Sequence, residues 1–211
     1  MSLYKIINHD IDTTIYIWKI TETESVLKKD VILQEKHQAR LERMLSEQHR
    51  KGFLSVRKLL QQAGYEDRDL WYDDNGKPHL SDGKYISITH SYDFSAIIIS
   101  TKNVGIDLEK QREKIVRIAN KFIDTEYEFL DEKNQYIEYL GVIWGAKEAL
   151  YKMCNSRSLS FKQDMHVQPF QLSDTTGKAI VDCKEMHFEC KFTFHFQSFE
   201  NYNLVYALEN E

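Results

Sequence analysis

Hydrophobic and polar positions alternate along several stretches of the chain, a pattern typical of strands with one buried face. Thr14–Ile20 (TIYIWKI) is the first such stretch, and Met186–Gln197 alternates strictly. Both stretches are also rich in β-branched and aromatic residues, which strands favour. The same criteria predict six further strands: Ile86–His90, Phe94–Thr101, Val104–Leu108, His166–Phe170, Ala179–Cys183 and Asn203–Leu208.

Apolar positions three and four residues apart predict helices in other parts of the chain. The longest such stretch is Gln34–Ala63, in which Gly52 is the position where the helix would divide in two. Gly64 follows it as a C-terminal cap. Ile115–Phe122 predicts a short helix and Asn134–Met153 a long one.

The order of predicted elements is strand, helices and hairpin, and it recurs on the two sides of Lys102. We therefore expect an α+β fold with two similar subdomains in one chain, residues 1–102 and residues 103–211. No repeat of the sequence itself accompanies this repeat of elements.

Composition narrows the class of protein. The chain has 211 residues, 42% of them hydrophobic and 29% charged, values typical of a soluble globular protein. It contains no apolar run of membrane-spanning length. Its three cysteines are odd in number and form no CxxC pair, which favours reduced thiols and a cytoplasmic location.

Charge is distributed unevenly. The net charge of −5 argues against a nucleic acid partner, yet residues 28–58 hold nine Lys/Arg and four Asp/Glu. Such a basic patch suits one small anion. Lys36, Arg43, Arg50 and Arg57 recur every seven residues along the long predicted helix. They form either a solvated basic face or a docking surface for phosphate, and for the second role we favour Arg50 and Arg57.

Two carboxylates, Asp107 and Glu109, lie at spacing two in VGIDLE. On a strand, that spacing points both side chains to the same face. Gly105 precedes them and permits a close approach of backbone. The pair is either an exposed strand end or, because the strand is otherwise apolar, a site that a cation compensates.

A second polar motif, WGAKEALYK at residues 144–152, is predicted to be helical. Glu148 and Lys152 are four residues apart and share a helix face, as in a surface ion pair. If this face meets Asp107 and Glu109, three carboxylates and one ammonium group could hold a divalent cation and a phosphate together.

Together the two motifs resemble those of the 4′-phosphopantetheinyl transferases, specifically the larger type that includes the surfactin-synthetase activator. Three further matches follow the family's order: NGKP at Asn75–Pro78, ITHS at Ile88–Ser91, and Phe122 with Glu126. Thr89 stands where the family commonly has serine, so a hydroxyl is kept. The resemblance covers residues 50–155 approximately.

This resemblance implies an enzyme that transfers the 4′-phosphopantetheine arm of coenzyme A to a serine of an apo acyl or peptidyl carrier protein. The second product is adenosine 3′,5′-bisphosphate, and the reaction depends on Mg²⁺. The family fold is a pseudo-dimer of two α+β subdomains with coenzyme A between them. A single chain of this type implies a monomer, with no nucleic acid or membrane partner.

The resemblance also implies roles for individual residues. Asp107, Glu109 and Glu148 would bind Mg²⁺, and Glu148 is the candidate general base. Lys152 would neutralise the pyrophosphate, with Lys147 the weaker candidate for that role. The other residues expected to contact coenzyme A are Arg50 and Arg57 at the 3′-phosphate, Lys77 and Pro78 at the adenine end, Thr89, His90 and Ser91 at a phosphate, and Asp107. Arg40 and Arg43 are alternatives at the 3′-phosphate.

Two other functions use the same residues. A magnesium-dependent phosphohydrolase would need the same carboxylates and a water molecule. A non-catalytic relative that binds coenzyme A or a carrier protein would need only part of them, and it is disfavoured because all four charged positions are occupied. For the docking of the carrier protein, family analogy points to residues near Glu126.

Overall fold

Two antiparallel sheets, one in each half of the chain, organise the fold. The computed structural model describes residues 2–154, 158–183 and 188–209. Its two compact units are Met1–Lys102 and Asn103–Glu211, and each contains helices and one sheet. The predicted α+β class is confirmed. In the described part of the chain, no helix has the length and apolar character needed to cross a membrane.

The N-terminal unit contains a six-stranded sheet in the order β1-β2-β6-β5-β4-β3. Helix α3 packs on β2, β5 and β6, and α1 packs on α3. The elements are β1 (Leu3–Asn8), β2 (Thr14–Lys19), α1 (Glu24–Lys28), α2 (Glu35–Glu42), α3 (Glu47–Gln62), a 3₁₀ turn (Asp67–Asp69), β3 (Leu70–Tyr72), β4 (Pro78–Leu80), β5 (Tyr85–Ser91) and β6 (Phe94–Ser100).

The long helical stretch is divided, but not at Gly52 as the sequence predicted. The division lies between α2 and α3, where the Ser46 side chain caps α3 by accepting a hydrogen bond from the His49 N–H. Gly52 lies inside α3, where an added side-chain carbon would come within 3.2 Å of the His90 imidazole. Gly64 has a φ of 85° and follows the end of α3, which confirms the predicted cap.

The C-terminal unit contains a five-stranded sheet in the order β7-β11-β10-β9-β8. One long helix, α4, packs on β7 and β11. The predicted helix at Ile115–Phe122 is instead a 3₁₀ helix. The elements are β7 (Val104–Lys110), 3₁₀ helices Glu113–Lys121 and Thr125–Glu128, α4 (Tyr136–Cys154), β8 (Met165–Val167), a 3₁₀ turn (Leu172–Asp174), β9 (Thr176–Cys183), β10 (Phe188–Phe199) and β11 (Tyr202–Leu208). The start of the predicted strand at Met186 lies outside the described residues.

The two units share a core topology. In the N-terminal unit, β2 pairs with β6, which forms a hairpin with β5. In the C-terminal unit, β7 pairs with β11, which forms a hairpin with β10. In each unit, a helix from the segment between the first strand and the hairpin packs on this three-stranded core. The strand, helix and hairpin order predicted for both halves is therefore observed.

Candidate active site

Close packing of α4 on the sheet brings the two acidic motifs together. A side chain at Gly105 of β7 would collide with the backbone carbonyl of Ala149 in α4. One at Gly145 of α4 would come within 2.6 Å of Val205 Cγ2 in β11. Glycine inside a helix costs about 1 kcal/mol relative to alanine. The close contact between helix and sheet, which only a residue without a side chain permits here, compensates for this cost. The prediction that Gly105 permits close backbone approach is confirmed.

Gly145→Ala is expected to destabilise the protein by about 1–3 kcal/mol, although alanine is the better helix former. The new methyl group would press on Val205 and move α4 away from β11. Chemical denaturation of the variant measures the loss.

A second substitution tests the cause. When Val205→Ala is combined with Gly145→Ala, the loss of stability should be smaller than the sum of the two single losses, because Val205→Ala removes the atom that the new methyl group strikes. Losses that simply add in the double variant would contradict the proposed collision.

Asp107 lies at the centre of the assembled cluster. It is 4% exposed, so the exposed-strand alternative does not apply to it. The Lys152 ammonium donates hydrogen bonds to Asp107 Oδ1 at 2.9 Å and to the Ile106 carbonyl oxygen at 2.8 Å. The helix lysine therefore reaches across to the strand and neutralises a buried carboxylate.

Glu148 is electrostatically coupled to the same cluster. Burial and the charge of Asp107 raise its pKa to about 7, and Glu109 adds to this effect while Lys152 opposes it. A carboxylate with such a pKa exchanges its proton near neutral pH. The structure thus brings Asp107, Glu109, Glu148 and Lys152 of the two motifs into one electrostatic neighbourhood.

The donor chemistry of this cluster fits Mg²⁺, which prefers oxygen ligands and is held by carboxylates. The mutual repulsion that raises the Glu148 pKa is also what a bound cation would relieve. The side chains in their present positions do not form a complete set of metal ligands, however. Among the described residues, no three His, Cys, Asp or Glu side chains are grouped so that they could hold a metal ion.

Lys147, beside Glu148, has a structural partner. Its ammonium lies 2.6 Å from Glu126 Oε1, and both side chains are 0% exposed. Glu126 also accepts hydrogen bonds from the N–H groups of Asp124 and Val167. This pair fixes the Thr125–Glu128 turn and β8 against α4, the helix that carries Glu148.

Arg57 also has a structural partner that the sequence did not reveal. It is 2% exposed, and its Nε donates to Asp67 Oδ1 at 2.9 Å. Its guanidinium lies over the Phe53 ring, 3.4 Å from the ring centroid. Arg50 is less buried and pairs with Glu24 at 2.8 Å. The roles predicted for both arginines at coenzyme A stay predictions.

The remaining predicted residues lie at strand ends of the N-terminal unit. His90 lies between Thr89 and Ser91 at the end of β5. Its ring packs over Gly52, and the ring centroid is 6.3 Å from that of His49. Lys77 and Pro78 belong to the β3–β4 hairpin, where the Lys77 N–H donates to Asp73 Oδ1.

The sequence did not reveal the small residues that set the position of α4. Gly141, Gly145 and Ala149 recur every four residues, a spacing that indicates one closely packed helix face. It also missed Asn203, which pairs with Glu109 across β11 and β7. Only the register between β11 and β7 shows that Asn203 is a neighbour of Glu109.

Residues 103–207, about half of the chain, match the family model described as the 4′-phosphopantetheinyl transferase superfamily. Through this segment, which contains β7, α4 and the charged cluster, the chain belongs to that superfamily.

Two curated proteins are similar to it. The chain is 30% identical over 105 residues to a 4′-phosphopantetheinyl transferase of Bacillus subtilis, covering 44% of this chain and 47% of that protein. It is 31% identical over 107 residues to the 4′-phosphopantetheinyl transferase gsp of Aneurinibacillus migulanus, covering 48% of this chain and 45% of that protein. The matches thus span about half the length of these relatives.

Proposed function

We propose that this protein transfers the 4′-phosphopantetheine arm of coenzyme A to a serine of an acyl or peptidyl carrier protein. The observation that carries the proposal is the meeting of Asp107, Glu109, Glu148 and Lys152 at the β7–α4 contact, within the segment that matches the superfamily. Both curated relatives bear the name of this activity.

In the proposed reaction, the serine oxygen attacks the β-phosphorus of coenzyme A. A new O–P bond forms, the bond from that phosphorus to the bridging oxygen breaks, and adenosine 3′,5′-bisphosphate leaves. Such transfers depend on positioning and on neutralisation of the negative charge of the phosphates. Lys152 supplies one fixed positive charge, held in place by Asp107 and the Ile106 carbonyl.

Glu148 is the proposed acceptor of the serine proton. In the metal-free cluster, burial and the Asp107 charge raise its pKa to about 7, and Mg²⁺ bound there would lower that pKa, so Glu148 would take the proton as a carboxylate, directly or through a water. Asp107, Glu109 and Glu148 are also the proposed magnesium ligands. When bound there, Mg²⁺ would supply further neutralisation of the diphosphate.

The test is incubation of the protein with coenzyme A, Mg²⁺ and an apo carrier protein, followed by mass spectrometry of the carrier. A mass gain of one phosphopantetheine arm, absent when the acceptor serine is replaced by alanine, supports the proposal. Release of inorganic phosphate without modification of the carrier would indicate the phosphohydrolase instead. Binding of coenzyme A with no product of either kind would indicate a non-catalytic relative.

A further inference from the structure

Helix α2 is attached to the N-terminal unit by little apolar surface. Only two of its eight residues, His37 and Leu41, are buried, whereas eight of the sixteen residues of α3 are buried. The segments on either side of α2 also expose apolar side chains, since Ile32 is 86% exposed and Leu45 is 99% exposed. The hydrophobic effect therefore holds α2 less firmly than it holds α3.

Polar contacts with one buried carboxylate supply much of the remaining attachment. His37 Nδ1 of α2 lies 2.8 Å from both carboxylate oxygens of Asp67, and both side chains are buried. Gln34, which precedes α2, donates its backbone N–H to Asp67 Oδ2 at 2.8 Å and its side-chain amide to the Asp67 carbonyl oxygen at 2.6 Å. We call these contacts of His37 and Gln34 the Asp67 latch. Arg57 of α3 binds the same carboxylate, so Asp67 keeps its position independently of α2.

The two ends of the segment that contains α2 are fixed on α3. On the N-terminal side, the Gln61 amide donates a hydrogen bond to the Asp30 carbonyl oxygen at 2.7 Å. On the C-terminal side, the Arg50 guanidinium donates one to the Met44 carbonyl oxygen at 2.8 Å. Residues 31–43 thus lie between two points of attachment to one helix, and the Asp67 latch holds the part between them.

The position of α2 also determines where positive charge lies. The exposed Arg40 of α2 places its guanidinium carbon 5.8 Å from the centroid of the Phe53 ring, and the buried Arg57 guanidinium lies over the same ring. Burial lowers the pKa of Arg57, and the charge of Arg40 adds to this effect. The two cations therefore repel each other when α2 is in place, and a bound anion would offset this repulsion.

We propose that α2 is a lid: it detaches from the N-terminal unit by breaking the Asp67 latch while α3 and the sheet stay folded, and an anionic ligand favours its closed position. Detachment exposes little apolar surface because so few residues of α2 are buried. The choice of coenzyme A as the anion rests on the proposed function, whereas the opening of the lid does not.

Amide hydrogen exchange of the ligand-free protein tests the opening. Amides of α2 are expected to exchange at least about a hundredfold faster than those of α3. Their rates should change little at low denaturant concentrations, because the sensitivity to denaturant scales with the surface that is exposed.

A variant of the latch tests its cause. His37→Phe keeps an aromatic ring in edge contact with Phe53 and Tyr72, and removes the nitrogen that reaches Asp67. Because a hydrogen bond to a charged group is lost, exchange in α2 should become about ten- to a hundredfold faster, with the rates in α3 unchanged.

Two further variants complete the comparison. Gln38→Ala removes a hydrogen bond within α2, to Glu42 Oε1, without touching the latch, and should change the exchange of α2 less than about threefold. Gln34→Ala removes the side-chain donor to the Asp67 carbonyl and leaves His37 in place, so it gives the answer if His37→Phe does not fold. It should accelerate exchange in α2 about fivefold.

The outcomes in the ligand-free protein are clear. Equal exchange rates in α2 and α3, or a latch variant that accelerates both helices equally, would overturn the lid. Faster exchange confined to α2 in the latch variants, and its absence in Gln38→Ala, would support it.

The ligand is tested with coenzyme A and with pantetheine, which has the same arm but no phosphate. Coenzyme A should slow exchange in α2 at least about tenfold and pantetheine should not. If calorimetry shows that coenzyme A binds but exchange in α2 is unchanged, the anion-dependent closure is overturned. If coenzyme A does not bind, the proposed function fails together with this choice of anion, while the ligand-free exchange still decides whether α2 opens.

Discussion

Glu148→Gln is expected to stabilise the metal-free protein at pH 8 and to change its stability little at pH 5. Burial and the charge of Asp107 raise the pKa of Glu148 from 4.5 to about 7 in the folded state. Below pH 4.5 the carboxyl group is protonated in both the folded and the unfolded state. Between pH 4.5 and 7 the folded state keeps a proton that the unfolded state loses, so stability falls as pH rises.

Glutamine cannot ionise, so the variant escapes this loss. The pKa difference corresponds to roughly 3 kcal/mol at most, and we expect a gain of about 1–3 kcal/mol at pH 8. Denaturation of both proteins in EDTA at pH 5 and pH 8 measures it. A variant less stable than the wild type at pH 8, or an equal difference at both pH values, would contradict the placement of Glu148 beside Asp107.

Lys147→Met is expected to destabilise the protein by about 3–5 kcal/mol, because it leaves the Glu126 carboxylate buried without its cation. For a chain of this size, that corresponds to a fall in Tm of about 10 °C. Denaturation monitored by circular dichroism measures it. The change removes little volume, since methionine fills most of the space of the lysine stem.

Two controls accompany this prediction. Arg50→Met makes the same kind of change in a partly exposed pair, where the side chains of Arg50 and Glu24 are 26% and 31% exposed, and should cost about 1 kcal/mol or less. The double variant Lys147→Met with Glu126→Gln should regain part of the stability, because it removes both charges. A loss for Lys147→Met no larger than that for Arg50→Met would show that the buried pair does not anchor α4.

Much of the charged cluster could be predicted because its parts are local in sequence. Asp107 and Glu109 share a strand face by period two, and Glu148 and Lys152 share a helix face by spacing four. The two faces meet because Gly105 has no side chain, so that β7 and α4 can approach closely. The sequence also indicated this close approach.

The parts that could not be predicted depend on partners distant in the chain. The regular spacing of basic residues around Arg57 does not reveal Asp67, which follows ten positions later and makes that arginine a core residue. The helix division was assigned to Gly52 because glycine disfavours helix, but the structure divides the stretch before α3, where Ser46 caps the new helix, and keeps Gly52 inside α3. Strand β1 was missed because most of its residues are exposed, which obscures the alternation.

Transfer activity of Glu148→Gln with coenzyme A, Mg²⁺ and an apo carrier protein tests the central proposal most directly. The variant keeps the shape of the residue and removes its charge, and its fold can be verified beforehand by the denaturation experiment. We predict modification of the carrier by the wild-type protein, none by the wild type in EDTA, and a rate about a thousandfold lower for the variant. A folded Glu148→Gln protein that modifies the carrier at the wild-type rate would contradict the account.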